Sequence, residues 1–61
     1  MSKIRELRQK RNLSQVELAR ILHVDTSTVS KWESGTNLPR SNILLELARV
    51  LKCRADVLLS K

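Results

Sequence analysis

The apolar positions of this chain fall into short helical registers separated by breaks, and nowhere into the strict alternation of a half-buried strand. Ile4 and Leu7 make one i, i+3 step and predict a first helix over 2–11, with Ser2 as its N-cap. Asn12 then falls where a helix ends in the left-handed conformation, which Asn tolerates. Ser14 opens a second segment carrying Leu18, Ala19, Ile21 and Leu22, and Glu17 completes an S-x-x-E capping box at its start. After His23, Asp25 is the N-cap of a third segment over 26–34, in which Val29 and Trp32 are apolar and which Gly35 stops. The stretch 35–40 holds the only Gly and the only Pro and reads as an extended loop. Ser41 or Asn42 caps a fourth helix through Leu51, whose Leu44, Leu47, Ala48 and Leu51 form an i, i+3, i+4, i+7 stripe. A turn over 52–54 and a last short helix over 55–59 follow. The prediction is an all-α chain of five short helices in a single domain, 1–61.

Composition narrows what such a bundle does. A chain of 61 residues buries only about 60% of the surface its unfolded form exposes, so the core must be small. Trp32 is the only aromatic residue. It belongs with the core, and base stacking on aromatic platforms is not the expected binding mode. Twelve Lys and Arg against six Asp and Glu give a formal charge of +6, which points to a polyanionic partner. Nucleic acid fits better than membrane, because no apolar run approaches the roughly 20 residues of a spanning helix and the N-terminus lacks the apolar stretch of a signal peptide. A soluble, cytoplasmic protein is expected. With one Cys and one His there is neither an internal disulfide nor a zinc ligand set, and no metal or other cofactor is expected. Cys53 reads as a small buried apolar side chain, and His23 as a residue that sets the backbone of a turn. Paired acids and a Gly-rich phosphate loop are both missing, so an enzyme is not expected.

Residues 15–34 then stand out as a unit: two short amphipathic segments hinged at His23 and Val24, with the small Ala19 where a following helix would cross. That is a helix-turn-helix pattern, whose second segment lies in the major groove of double-stranded DNA. Thr26, Ser27, Ser30 and Lys31 share the exposed side of that segment and are the candidates for base contact. Thr28, in the first turn but rotated away, reads as a capping and solvating residue. Ser14 and Gln15 at the opening of the second helix are candidate phosphate contacts, and Asn37 and Arg40 in the later loop form the complementary clamp. Lys3 and Arg5 read as solvated, while Arg11 lies nearer the expected duplex.

The runs IRELRQKRNLSQVELA, VSKWESG and LLELARVL together resemble the phage-repressor-like domains known as the XRE family of helix-turn-helix regulators, and the likeness covers nearly the whole chain. The resemblance implies a compact five-helix domain whose third helix reads the major groove, usually as a dimer on a two-fold symmetric operator. It places Thr26, Ser27 and Lys31 at base-contacting positions and Ser14 and Gln15 at phosphate-contacting ones. It also pairs Arg8 with Glu33 in an ion pair that turns Arg8 toward the phosphates. Asn12, His23 and Lys52 stand where the family commonly has glycine, and Lys52 predicts a strained or differently built turn. The expected function is that of a sequence-specific transcriptional regulator, a repressor rather than an activator, acting as a homodimer without a small-molecule ligand. Ile43, Val50, Ala55 and Val57 are candidates for self-association; alternatively Leu45, Ile43 and Val50 pack beneath the last helix. The competing reading is an antitoxin-like or adaptor module that binds a protein and for which DNA is secondary.

Overall fold

The computed structural model describes residues 3–59 as α1 (Lys3–Lys10), α2 (Gln15–Leu22), α3 (Thr26–Ser34), α4 (Ser41–Leu51) and α5 (Ala55–Leu59), with no strand among them. The expected Ser2 cap lies outside the described residues. How the helices end explains how the chain folds back on itself. Each of the first four runs into a residue at positive φ: Asn12 at 57°, His23 at 58°, Gly35 at 82° and Lys52 at 55°. The next N–H then donates to the carbonyl five residues back, from Leu13 to Arg8 at 3.1 Å, Val24 to Ala19 at 3.0 Å, Thr36 to Lys31 at 3.0 Å and Cys53 to Ala48 at 2.9 Å. These bonds satisfy carbonyls that a helix end leaves unpaired, and they reverse the chain. At three of the four turns the residue so placed, Leu13, Val24 or Cys53, packs against the core. Burial pushes the Cys53 thiol above its ordinary range, which keeps it protonated and inert.

Lys52 therefore builds the same turn as the others, and only its side chain is unsuited to it. A non-glycine residue in the left-handed region costs about 1 to 2 kcal/mol, part of which glycine gives back through its freer unfolded chain. Lys52→Gly is expected to stabilise the domain by about 0.5 to 1 kcal/mol, seen as a rise in Tm on thermal melting; a fall would contradict the assignment.

Two helix starts differ from the sequence expectation. Asp25 sits at the N-cap of α3 in extended backbone, yet its carboxylate makes no capping bond, and the Thr28 N–H donates to its main-chain carbonyl at 3.0 Å. The N-cap of α4 is Arg40, with Ser41 and Asn42 already helical, so the fourth helix starts without a side-chain cap. The α2 start is as expected. Glu17 N–H donates to Ser14 Oγ at 3.0 Å, Ser14 N–H donates to Glu17 Oε1 at 2.9 Å, and these bonds hold the exposed Glu17 carboxyl below its ordinary range.

Leu18, Val29, Leu47 and Leu51 are fully enclosed, with Ile4, Ala19, Leu22, Trp32, Ala48 and Leu58 completing the core. The most extensive packing is between α2 and α3, where Ala19 lets the helices approach, while α1 leans on α3 and α5. Ile43, Leu44, Val50 and Ala55 are half-buried against the core. Leu45 is not: at 63% exposure it lies outside, as do Ile21, Val16 and Leu38. No helix among the described residues is long and apolar enough to cross a membrane.

Candidate nucleic-acid interface

The site is organised by one buried acid. Glu33 lies in the last turn of α3 with its side chain wholly enclosed, a location that would disfavour its charge unless several donors met it. They do. Arg8 from α1 donates Nε to Oε2 at 2.7 Å and Nη2 to Oε1 at 3.3 Å, a two-pronged contact suited to the planar guanidinium. Gln15 Nε2, at the start of α2, donates to Oε1 at 3.0 Å, and Arg5 Nε donates to the same oxygen at 3.2 Å. Burial pushes the Glu33 carboxyl up, but the hydrogen bonds from Arg8, Gln15 and Arg5 and the Arg8 charge outweigh it and hold it below the usual carboxylate range. Arg8 Nη1 also donates to the Leu13 carbonyl at 2.8 Å, pinning the turn into α2. Glu33 thus fixes the end of α3 against α1, through Arg5 and Arg8, and against the start of α2, through Gln15.

Around this brace, α3 turns its other side outward. Ser27, Ser30 and Lys31 are exposed and Thr26 is half-buried, so the four candidate base-contacting residues share one outward arc. None of their side chains makes a hydrogen bond or ion pair among the described residues. Opposite them Val29 and Trp32 enter the core. Thr28 lies at the border and lines an open groove of about 400 Å³ together with Val24, Trp32 and Ile43. Asn37, Leu38 and Arg40 line the same groove, so the loop residues expected to clamp phosphates share it with Thr28 and Trp32 of α3. Ser34 Oγ donates to the Lys31 carbonyl at 3.1 Å and lies 2.8 Å from Thr36 Oγ1, which ties the first part of the loop to the helix.

The first helix differs from what the sequence predicts in three places. Arg8 has only 11% of its side chain exposed, so the phosphate-facing role implied for it is largely closed to it. Arg5, expected to be merely solvated, is anchored to Glu33. Arg11, exposed at the end that leads into α2, donates Nε to the Leu51 carbonyl at 3.3 Å at the end of α4, a contact the sequence does not predict. Partners separated by 28, 18 and 40 residues leave no local pattern by which Arg5, Gln15 and Arg11 could be assigned these contacts. No group of His, Cys, Asp and Glu that could hold a metal ion exists among the described residues.

Two short helices set across one another on small and aliphatic side chains, with the polar side of the second held outward, define a helix-turn-helix protein. The chain belongs to the helix-turn-helix family of DNA-binding transcription regulators, whose sequence model matches residues 4–58. It is similar to the HTH-type transcriptional activator BcrR of Enterococcus faecalis, with 38% identity over 58 residues, and to Repressor protein C2 of Salmonella phage P22, with 33% identity over 57. These alignments cover 95% and 93% of this chain but only 28% and 26% of the relatives, so the chain spans little more than a quarter of their length. No solved structure gives a significant match.

Proposed function

We propose that this domain binds a specific double-stranded DNA site through the major groove as a dimer on a two-fold symmetric operator, and that it acts as a repressor. The observation that carries the reading is the outward arc of Thr26, Ser27, Ser30 and Lys31, free of internal partners and held on a helix that a buried, multiply bonded acid fixes in place. Short hydroxyls donate or accept, and Lys31 suits the O6 and N7 acceptors of guanine. Ser14, Gln15, Asn37 and Arg40 flank the arc and set register on the phosphates, while Arg8 serves from behind as a brace. Repression requires only that the site be occupied, for which this equipment is sufficient. A single copy offers too few contacts for tight specific binding, and two copies on a palindrome double them.

Selection from random duplexes is expected to return a palindrome with half-site centres about 34 to 36 Å apart along the helix. Binding to that site should fall with log slope of about 0.9 per phosphate neutralised as log salt rises. Lys31→Ala or Ser27→Ala should relax preference at one base position, whereas Gln15→Ala or Arg40→Ala should weaken all sequences alike. Even loss of affinity with an unchanged selected motif would remove Lys31 from base readout. Binding of a protein partner that is tight, salt-insensitive and indifferent to DNA would replace the whole reading with that of an adaptor or antitoxin-like module.

A further inference from the structure

Glu33 carries one negative charge and accepts hydrogen bonds from two arginines. The cluster therefore keeps one positive charge that it does not neutralise internally. Of the two guanidiniums, Arg8 is enclosed, while Arg5 has 55% of its side chain exposed. Only the Nε of Arg5 is engaged, and its Nη1 and Nη2 groups make no hydrogen bond among the described residues. The outer edge of Arg5 thus presents unpaired donors in a plane fixed from behind. Gln15 donates from its amide Nε2 to the same carboxylate oxygen, and one proton of that amide stays uncommitted. Two side chains from different helices, Arg5 of α1 and Gln15 of α2, therefore converge on Glu33 Oε1, each with donors to spare.

We propose that Arg5 is a DNA-contacting residue, forming with Gln15 a two-residue phosphate clamp that the buried carboxylate of Glu33 holds in position. This rests on the DNA-binding reading above and extends the phosphate contacts onto the first helix. The guanidinium suits the task because its planar fork matches a phosphate in two bonds, and a donor already anchored loses less freedom on binding. Other cations of α1 lack the combination. Lys3 pairs loosely with Glu6 at 3.7 Å on the surface, and Arg11, just past the end of α1, is anchored by its Nε to the Leu51 carbonyl rather than to the Glu33 carboxylate that Gln15 shares.

The test is the salt dependence of binding to the selected duplex, measured over roughly 50 to 200 mM salt for the wild type, Arg5→Ala, Arg5→Gln and Lys3→Ala. Arg5→Ala and Arg5→Gln should each lower the slope by about 0.9, the loss of one neutralised phosphate, and weaken binding about tenfold at low salt for specific and random duplexes alike. Lys3→Ala should leave the slope close to that of the wild type. The slope separates contact from scaffold, since a merely structural Arg5 would change Tm without changing the number of phosphates neutralised. An unchanged slope in both Arg5 variants, or an equal loss in Lys3→Ala, would overturn the clamp while leaving the DNA reading intact. Competition by inorganic phosphate at matched ionic strength should likewise weaken in Arg5→Ala, and competition equal in wild type and Arg5→Ala would count against the clamp. Were the wild type itself to bind no duplex, the DNA reading and the clamp would fall together.

Discussion

Glu33→Ala is expected to destabilise the domain strongly, while Glu46→Ala, which removes an exposed carboxylate without a partner among the described residues, changes Tm little. The reason lies in what each removal leaves behind. Arg5 can turn to water when its acceptor goes, but Arg8 is enclosed and would keep its charge with only the Leu13 carbonyl as partner. Stranding a buried charge costs about 3 to 5 kcal/mol. At about 0.05 to 0.15 kcal/mol per residue, the whole stability of so short a chain is about 3 to 9 kcal/mol, so Glu33→Ala should lower Tm by on the order of 15 °C or leave the domain largely unfolded. Equal melting temperatures for the two alanine variants would show that the pair does not brace the fold. Glu33→Gln keeps the shape and one acceptor and should fall between.

The same cluster gives a pH dependence with a definite sign. The Glu33 carboxyl titrates below its ordinary range in the folded protein, so its contribution is fully present above the unfolded Glu value of about 4.3 and is lost as pH falls through the folded value. The advantage of the wild type over Glu33→Gln should therefore be complete at neutral pH and shrink on acidification below about 4.3. An advantage that grew on acidification would reverse the assignment.

Leu47→Ala and Leu45→Ala remove the same atoms from the same helix, two residues apart, and should differ by several kcal/mol. Leu47 is fully enclosed at the centre of the core and Leu45 is 63% exposed. Truncating an enclosed leucine costs about 2 to 5 kcal/mol, because the lost transfer free energy is joined by a cavity that neighbours fill only in part. Leu47 is flanked in the core by Leu51 and Ala48 of its own helix, which cannot move into the gap without leaving their own contacts. Leu45→Ala in the isolated domain should stay within about 0.5 kcal/mol of wild type. Urea unfolding read by Trp32 fluorescence measures both. A large loss in Leu45→Ala that grew with protein concentration would instead place Leu45 in a contact between copies.

The capping box at Ser14 and Glu17, the left-handed turns at Asn12, His23 and Gly35, and the stripe through Leu47, Ala48 and Leu51 were all legible because each is a short-range pattern. Its bonds or contacts join residues within about two turns, and the amino-acid types that satisfy them are few. Asp25 shows the limit even of local reading. Its position is as expected, but its carboxylate takes no capping bond and the Thr28 N–H goes to its main-chain carbonyl. At Lys52 the residue type argued against the turn, yet the packing of Cys53 and Leu51 on the core goes with the same geometry as at the other helix ends.

By itself the sequence determined five helices, most of their boundaries, the enclosed leucines and a surplus of positive charge, since these follow from periodicity, capping chemistry and composition. Tertiary structure alone decided that the carboxylate paired with Arg8 would also gather Arg5 and Gln15, that Arg11 would turn to α4, and that Leu45 rather than Ile43 or Val50 would face water. The physical reason is range. Those contacts join residues 18 to 40 positions apart, or depend on how a neighbouring helix crosses, and both are fixed only when the helices pack.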